Sequence, residues 1–186
     1  MVLTHGAGST CEAPLLIAVA SAFCDAGYTV LRCDLPFRQR RPTGPPVPAF
    51  AAADREGLRA AVAALRGIVA GPIVLSGHSY GGRQASLLAA DQPDVAAGLL
   101  LLSYPLHPPK KPEQRRTDHF PRLVLPVVFV HGTADAFGTI EELRAAAELI
   151  PTPPTIIMAD KAGHDLKRGR IDLAAIVDAV TARMAP

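Results

Sequence analysis

The sequence predicts an α/β protein, a parallel β-sheet with helices packed on both faces. Three observations carry that expectation. Short β-rich runs and segments of helical period alternate from end to end, with connections long enough for right-handed crossovers. Gly98 to Leu102 is apolar without alternation, as in a strand covered on both sides. The stretch Ile73 to Gly82, IVLSGHSYGG, passes abruptly from β-favouring residues to helical spacing through a turn with a serine at its apex.

Taken in order, Met1 to Thr4 is a short strand that runs into the loop His5-Gly6-Ala7-Gly8. Pro14 suits a first helical turn, and Leu15, Leu16, Val19, Ala22 and Phe23 keep helical spacing until Gly27. Tyr28 to Cys33 reads as a strand closed by Asp34-Leu35-Pro36. From Phe37 to Pro48, the prolines Pro42, Pro45, Pro46 and Pro48 argue against regular structure and predict a surface loop. Ala49 to Ala70 is an alanine-rich helix with Leu58, Val62, Leu65 and Val69 on one face, despite Gly57 and Gly67. Gly71-Pro72 ends it and launches the strand that enters the serine turn.

Beyond the helix that leaves this turn, Asp91-Gln92-Pro93-Asp94 breaks the chain ahead of the strand Gly98 to Leu102. Ser103 to Pro126, studded with prolines and charges, is irregular and long enough to act as a partial cover over a site. Val127 to Val130 is a strand that ends at His131-Gly132-Thr133-Ala134-Asp135. Thr139 and Glu142 make a capping box for a helix carrying Leu143, Ala146, Ala147 and Ile150. Thr155 to Met158 is the last strand. After the loop Asp160 to Arg170, the residues Leu173, Ile176, Val177 and Val180 mark a final helix. With no internal repeat and no boundary signal, residues 1–186 are expected to form one domain.

Composition narrows the function classes. A chain of 186 residues can bury a sizeable core without metal or disulfide support, and 49% hydrophobic residues with only 5% aromatic make that core aliphatic. A net charge of +2 argues against wholesale nucleic-acid binding. Cys11, Cys24 and Cys33 lack metal-site spacing, so reduced, buried thiols in a cytoplasmic protein are expected. No stretch approaches the roughly 18 apolar residues of a membrane span, and no basic leader precedes the first strand. Neither a membrane nor a nucleic acid is expected as a partner.

The chemistry centres on Ser79. A sharp strand-to-helix turn holds its central residue in a strained conformation and brings strand and helix together, so the positions two before and two after it cannot carry bulk. Gly77 and Gly81 occupy them. The competing reading is a glycine-rich turn whose serine caps the next helix. A serine hydroxyl is a poor nucleophile at neutral pH and needs a base, and that base needs an orienting group. The chain order Ser, acid, His supplies Asp135 after one late strand and His164 after the last. Asp160 and Asp165 are too near His164 in sequence to be its natural orienter, and Asp165 suits a cap or a pair with Lys167 or Arg168. His131 reads as a structural imidazole bonded to backbone, His107 and His119 read equally as solvated, and His78 reads as a packed residue of the turn. The developing oxyanion needs donors, for which the amides of Tyr80 and Ala7 are expected. Alone, His5-Gly6-Ala7-Gly8 suits a phosphate as well, and its position on the strand beside the serine turn favours the oxyanion.

These motifs, in this order and over almost the whole chain, resemble an α/β-hydrolase of the small dienelactone-hydrolase-like kind. Gly77-His78-Ser79-Tyr80-Gly81-Gly82-Arg83-Gln84, Leu102-Ser103-Tyr104-Pro105-Leu106-His107-Pro108-Pro109, Lys111-Pro112-Glu113-Gln114 and Gly163-His164-Asp165-Leu166 further resemble a narrower branch. That branch contains uncharacterised bacterial hydrolases and eukaryotic relatives named as testis-expressed and chromatin-complex subunits. The resemblance implies the superfamily fold and a Ser-Asp-His triad, and no substrate. It also implies antiparallel strands ahead of the glycine loop, which are missing here. The expected sheet is therefore mostly or wholly parallel with about six strands, either truncated at its start or with a bare edge. No helical lid is inserted, so a shallow pocket bounded by residues 36 to 48 and 103 to 122 is expected, better suited to a small acyl group than to a long lipid.

Cations gather in three loops: Arg38, Arg40 and Arg41, then Lys110, Lys111, Arg115 and Arg116, then Lys167, Arg168 and Arg170. They read either as solvated loop charges or as an attraction for an anionic substrate or acidic partner. Arg83 opposes the macrodipole in the first turn of its helix, which predicts a carboxylate partner from a neighbouring loop or a substrate acid group. Arg83, His5 and Gly8 are the candidate substrate contacts. The sequence thus predicts a serine hydrolase without metal or organic cofactor, acting as monomer or homodimer on a small ester or thioester. A hydrolase-like binding or assembly module is the alternative.

Overall fold

The computed structural model describes residues 1–169 and 171–184. Six strands form one parallel sheet: β1 Val2–Thr4, β2 Leu31–Cys33, β3 Val74–His78, β4 Gly98–Leu102, β5 Val127–Gly132 and β6 Thr155–Ala159, in the spatial order β2-β1-β3-β4-β5-β6. Six α-helices join them: α1 Pro14–Asp25, α2 Pro36–Arg40, α3 Ala51–Arg66, α4 Tyr80–Asp91, α5 Ile140–Ala147 and α6 Leu173–Met184. The order reverses between β2 and β3, where β1 sits, and ligand sites in open α/β sheets lie beyond the carboxyl ends of the strands near such a switch.

Alternate residues of each strand face two separate apolar layers. On one side Leu75, Leu99, Leu101, Val127 and Phe129 pack with Leu58, Val62 and Leu65 of α3, Ala85, Leu88 and Ala89 of α4, and Leu143 of α5. On the other, Leu3, Val74, Leu100, Leu102, Val128 and Val130 meet Leu16, Val19 and Phe23 of α1 and Ile176 and Val180 of α6. Buried on both faces, β4 reads as leucine at four successive positions for that reason. The capping box forms: the amide of Glu142 donates to the Thr139 hydroxyl at 3.1 Å and the Thr139 amide donates to the Glu142 carboxylate at 2.7 Å.

Several expectations need correction. Pro36–Arg40 is a helix, not loop, because Pro36 stands at a first helical position and the breakers begin only at Pro42. β2 begins at Leu31 and α3 ends at Arg66, each shorter than expected. None of the three cysteines is fully buried, and Cys24 is exposed, although all three are free thiols. The segment 103–126 borders the site as expected but also contributes to the core, through Tyr104, Leu106, Phe120 and Leu123. His107 and His119 within it are buried instead of solvated. His107 lies 2.8 Å from the Pro108 carbonyl and 3.3 Å from Glu142, and His119 Nε2 lies 2.8 Å from Ser86 Oγ of α4. Among the described residues no helix is long and apolar enough to cross a membrane. Arg170 lies outside the described residues.

Burial, reinforced by the Arg83 and Arg122 guanidiniums, pushes the His119 imidazole down to about 4. A histidine neutral in the fold but protonated once unfolded withdraws stability as pH falls. Its contribution is full above the ordinary value of 6.5 and lost on the way down to about 4. Urea midpoints measured across that interval should fall with pH, and His119→Gln, which keeps a donor for Ser86, should flatten the slope.

Candidate active site

The turn between β3 and α4 places Ser79 at φ 50° and ψ −115°, a strained conformation for a residue with a side chain. Close packing enforces it. A Cβ on Gly77 would stand 2.6 Å from main-chain atoms of Gly81 and Gly82, and one on Gly81 would stand 2.5 Å from the His5 carbonyl. Main-chain bonds fix the turn further, Ser79 N–H donating to Leu102 O at 2.8 Å and Arg83 N–H to Ser79 O at 2.9 Å. Although Ser79 occupies the N-cap position of α4, its hydroxyl does not cap the helix. Ser79 Oγ instead lies 2.7 Å from His164 Nε2.

His164 arrives from the loop after β6, next to β5, whose end carries Asp135. His164 Nδ1 lies 2.8 Å from Asp135 Oδ2 and 3.0 Å from Oδ1. A carboxylate accepts only, so Nδ1 carries the proton and Nε2 is left to accept from the Ser79 hydroxyl. The Asp135 side chain is fully buried, and its Oδ1 also accepts from the Phe137 amide at 2.8 Å. Phe137 stacks on the His164 ring, centroids 4.0 Å apart and planes at 25°. His78 packs beneath: burial pushes its imidazole down to about 4, and as the neutral ring it donates from Nε2 to the His164 carbonyl at 2.8 Å. His131 is bonded to backbone as expected, Nε2 to the Gly138 carbonyl at 2.8 Å. Asp165 pairs with Lys167, whose Nζ is 3.7 Å away. The arrangement can draw a proton from an alcohol and return it to a leaving group.

β1 lies beside β3, with Thr4 opposite Gly77, so the glycine loop leaves the sheet directly over the turn. Gly6 is needed for that closeness, since a Cβ there would meet His78 Nδ1 at 2.9 Å. Ala7 and Tyr80 both line the cavity in front of Ser79. Two buried residues that sequence reasoning missed secure them. Arg38 of α2, expected as a loop cation, is 5% exposed and donates to the carbonyls of Ala7 (2.6 Å), Ser9 (3.0 Å), Arg41 (3.1 Å), Pro42 (2.8 Å) and Gly44 (3.2 Å). Asp54 of α3 accepts from the Phe37 amide at 2.9 Å and from the Tyr80 hydroxyl at 2.7 Å. Nothing in the local sequence around either residue signals a tertiary role of this kind.

His5 does not face the cavity as the expected substrate contact would. It is fully buried, accepts at Nε2 from the Leu35 amide (3.1 Å), and is not among the cavity-lining residues. Gly8 and Arg83 do line the cavity. Its volume is about 1040 Å³, at the top of the range for ligand pockets, more room than a small acyl group needs. Pro45, Pro46 and Pro48 bound it on one side and Pro105 and Arg116 on another, as the two loops were expected to. Of the three basic loops only Arg116 and Lys167 reach it among the described residues.

A family model described as an alpha/beta hydrolase domain matches residues 1–184. Among solved structures, Est1E from Butyrivibrio proteoclasticus with bound ferulic acid superposes with a TM-score of 0.74 at 20% identity, over 98% of this chain and 86% of that one. The dienelactone hydrolase of Anabaena variabilis gives 0.74 at 20% identity, over 98% and 83%. A monoacylglycerol lipase from Paleococcus ferrophilus gives 0.73 at 17% identity, over 98% and 92%. At these identities the superpositions speak to fold.

Removing Arg38 leaves several half-buried carbonyls without their donor. Arg38→Ala should lower unfolding free energy by about 1–3 kcal/mol in urea titrations, and Arg38→Lys should recover only part of it, because an ammonium cannot span all these acceptors.

Proposed function

The chain belongs to the α/β-hydrolase family, and on that premise we propose that it is a serine hydrolase cleaving a carboxylic ester or thioester through an acyl-enzyme on Ser79. The single observation that carries the reading is the continuous line from Ser79 Oγ to His164 Nε2 (2.7 Å) and from His164 Nδ1 to Asp135 (2.8 Å), set on a strained turn. As Ser79 Oγ bonds to the substrate carbonyl carbon, its proton passes to His164 Nε2 and the carbonyl π pair moves onto oxygen. The amides of Tyr80 and Ala7 receive that oxyanion. Collapse of the adduct breaks the bond to the leaving alcohol or thiol, which takes the proton from His164. Water then repeats the sequence, releasing the carboxylic acid and free Ser79. Asp135 keeps His164 in the required tautomer and stabilises the imidazolium that forms in each half.

A neighbour named as a dienelactone hydrolase and another named as a monoacylglycerol lipase support ester chemistry for this chain. The motif words around Gly77 to Gln84 and Leu102 to Pro109 favour a second reading, an assembly subunit of the branch that includes chromatin-complex proteins. Its surface would then matter more than its serine.

A fluorophosphonate probe separates the two. Labelling of the folded protein should be lost in Ser79→Ala and His164→Ala. Absence of labelling in the unaltered chain would remove the hydrolase reading. With an activated ester, Asp135→Asn should lower kcat by about four orders of magnitude, since the amide turns the ring to the wrong tautomer.

A further inference from the structure

One wall of the cavity holds more donors than acceptors. Arg55 of α3, Arg83 and Gln84 of α4, and Arg116 of the 103–126 segment all line it together with Ser79. Gln84 is fully buried, its Oε1 accepts from Arg55 Nη1 at 3.2 Å, and its Nε2 has no partner. The Arg55 donor fixes which way the amide faces, so the orphan atom is the NH₂ group, a donor. Arg83 Nε is likewise buried without a partner. Among the described residues no carboxylate lies within ion-pair distance of Arg83 or Arg116, so the loop partner expected for Arg83 is not there. The cavity's two carboxylates are already taken, Glu12 by Arg32 at 3.3 Å and Asp165 by Lys167 at 3.7 Å.

Unpaired buried donors are costly, and like charges held near one another more so. Arg83 and Arg116 line the same cavity, and burial, then the Arg83 charge, push the Arg116 guanidinium below its ordinary range. An anion between them relieves both costs, and the first turn of α4 adds its own positive end. Arg83 stands one helical turn beyond Ser79, a rise of about 5–6 Å, so an anion there sits several bonds from a carbonyl at Ser79 Oγ. His164 must reach the leaving group, which leaves the α3 and α4 side of the cavity for the acyl part.

We propose that Arg83, Arg116 and Gln84 form a carboxylate subsite and that the substrate is an ester or thioester whose acyl chain ends in a free carboxylate, as in a half-ester of a dicarboxylic acid. This deepens the hydrolase reading and rests on it for the ester, but the anion subsite stands on its own geometry.

Two probes of equal acyl length test it: mono(4-nitrophenyl) glutarate and 4-nitrophenyl valerate. The ratio of kcat/KM, charged over neutral, should be on the order of 10- to 100-fold in the unaltered chain, the worth of a charge-assisted hydrogen bond. Arg83→Gln and Arg116→Gln should each lower it about tenfold; should one fail to fold, judged by its melting curve, the other carries the comparison. Independently of turnover, calorimetry should show glutarate binding to Ser79→Ala and none to Ser79→Ala/Arg83→Gln. Ser79-dependent hydrolysis of the valerate ester with a ratio near one and no heat from glutarate overturns the subsite and leaves the hydrolase reading standing. Arg83-dependent glutarate binding without hydrolysis of either ester keeps the subsite and sinks the hydrolase.

Discussion

The near-contact of main chain at Gly77, Gly81 and Gly82 is the constraint on which the rest of the site depends. It forces Ser79 to positive φ, lifts its hydroxyl off the helix it would otherwise cap, and turns it towards a histidine from the far side of the sheet. Relaxing the turn would give back local strain and return an ordinary helix start. That it persists reflects the flanking strands, whose parallel register and apolar burial on both faces over-determine the path of the chain.

Support for the histidine is spread over several elements. Asp135 fixes its tautomer, Phe137 covers one face of its ring, and His78 holds the carbonyl of the same residue through a bond that needs a neutral imidazole. His78 thus has a role without contacting the hydroxyl that His164 serves. Its sequence position beside Ser79 suggested a packed residue, and the loop it steadies became visible only in three dimensions.

What could be read from the chain beforehand follows a physical division. Alternation of strands and helices, the unbroken apolar run of β4, the small residues around Ser79 and the capping box at Thr139 are local patterns, and local patterns are written in local sequence. The parallel sheet of six strands follows from them. Arg38, Asp54 and Gln84 are polar residues on helices that, by sequence, resemble any solvated face. Their importance comes from partners 17 to 31 residues away, which no period records. The short helix Pro36–Arg40 was hidden by the prolines that follow it, and His5 looked like a site residue because its loop is one, while its ring turns inward to bond Leu35.

The short helix has one more consequence. Through Arg38 it grips the carbonyl of Ala7, and through the Phe37 amide and Asp54 it is tied to the ring of Tyr80. The two residues whose amides are proposed as the oxyanion donors therefore hang from one common mount of a single turn or so. On the proposed reaction, any disturbance of this mount reaches both amides together, so damage to one small element remote in sequence from the serine would be felt twice at the site.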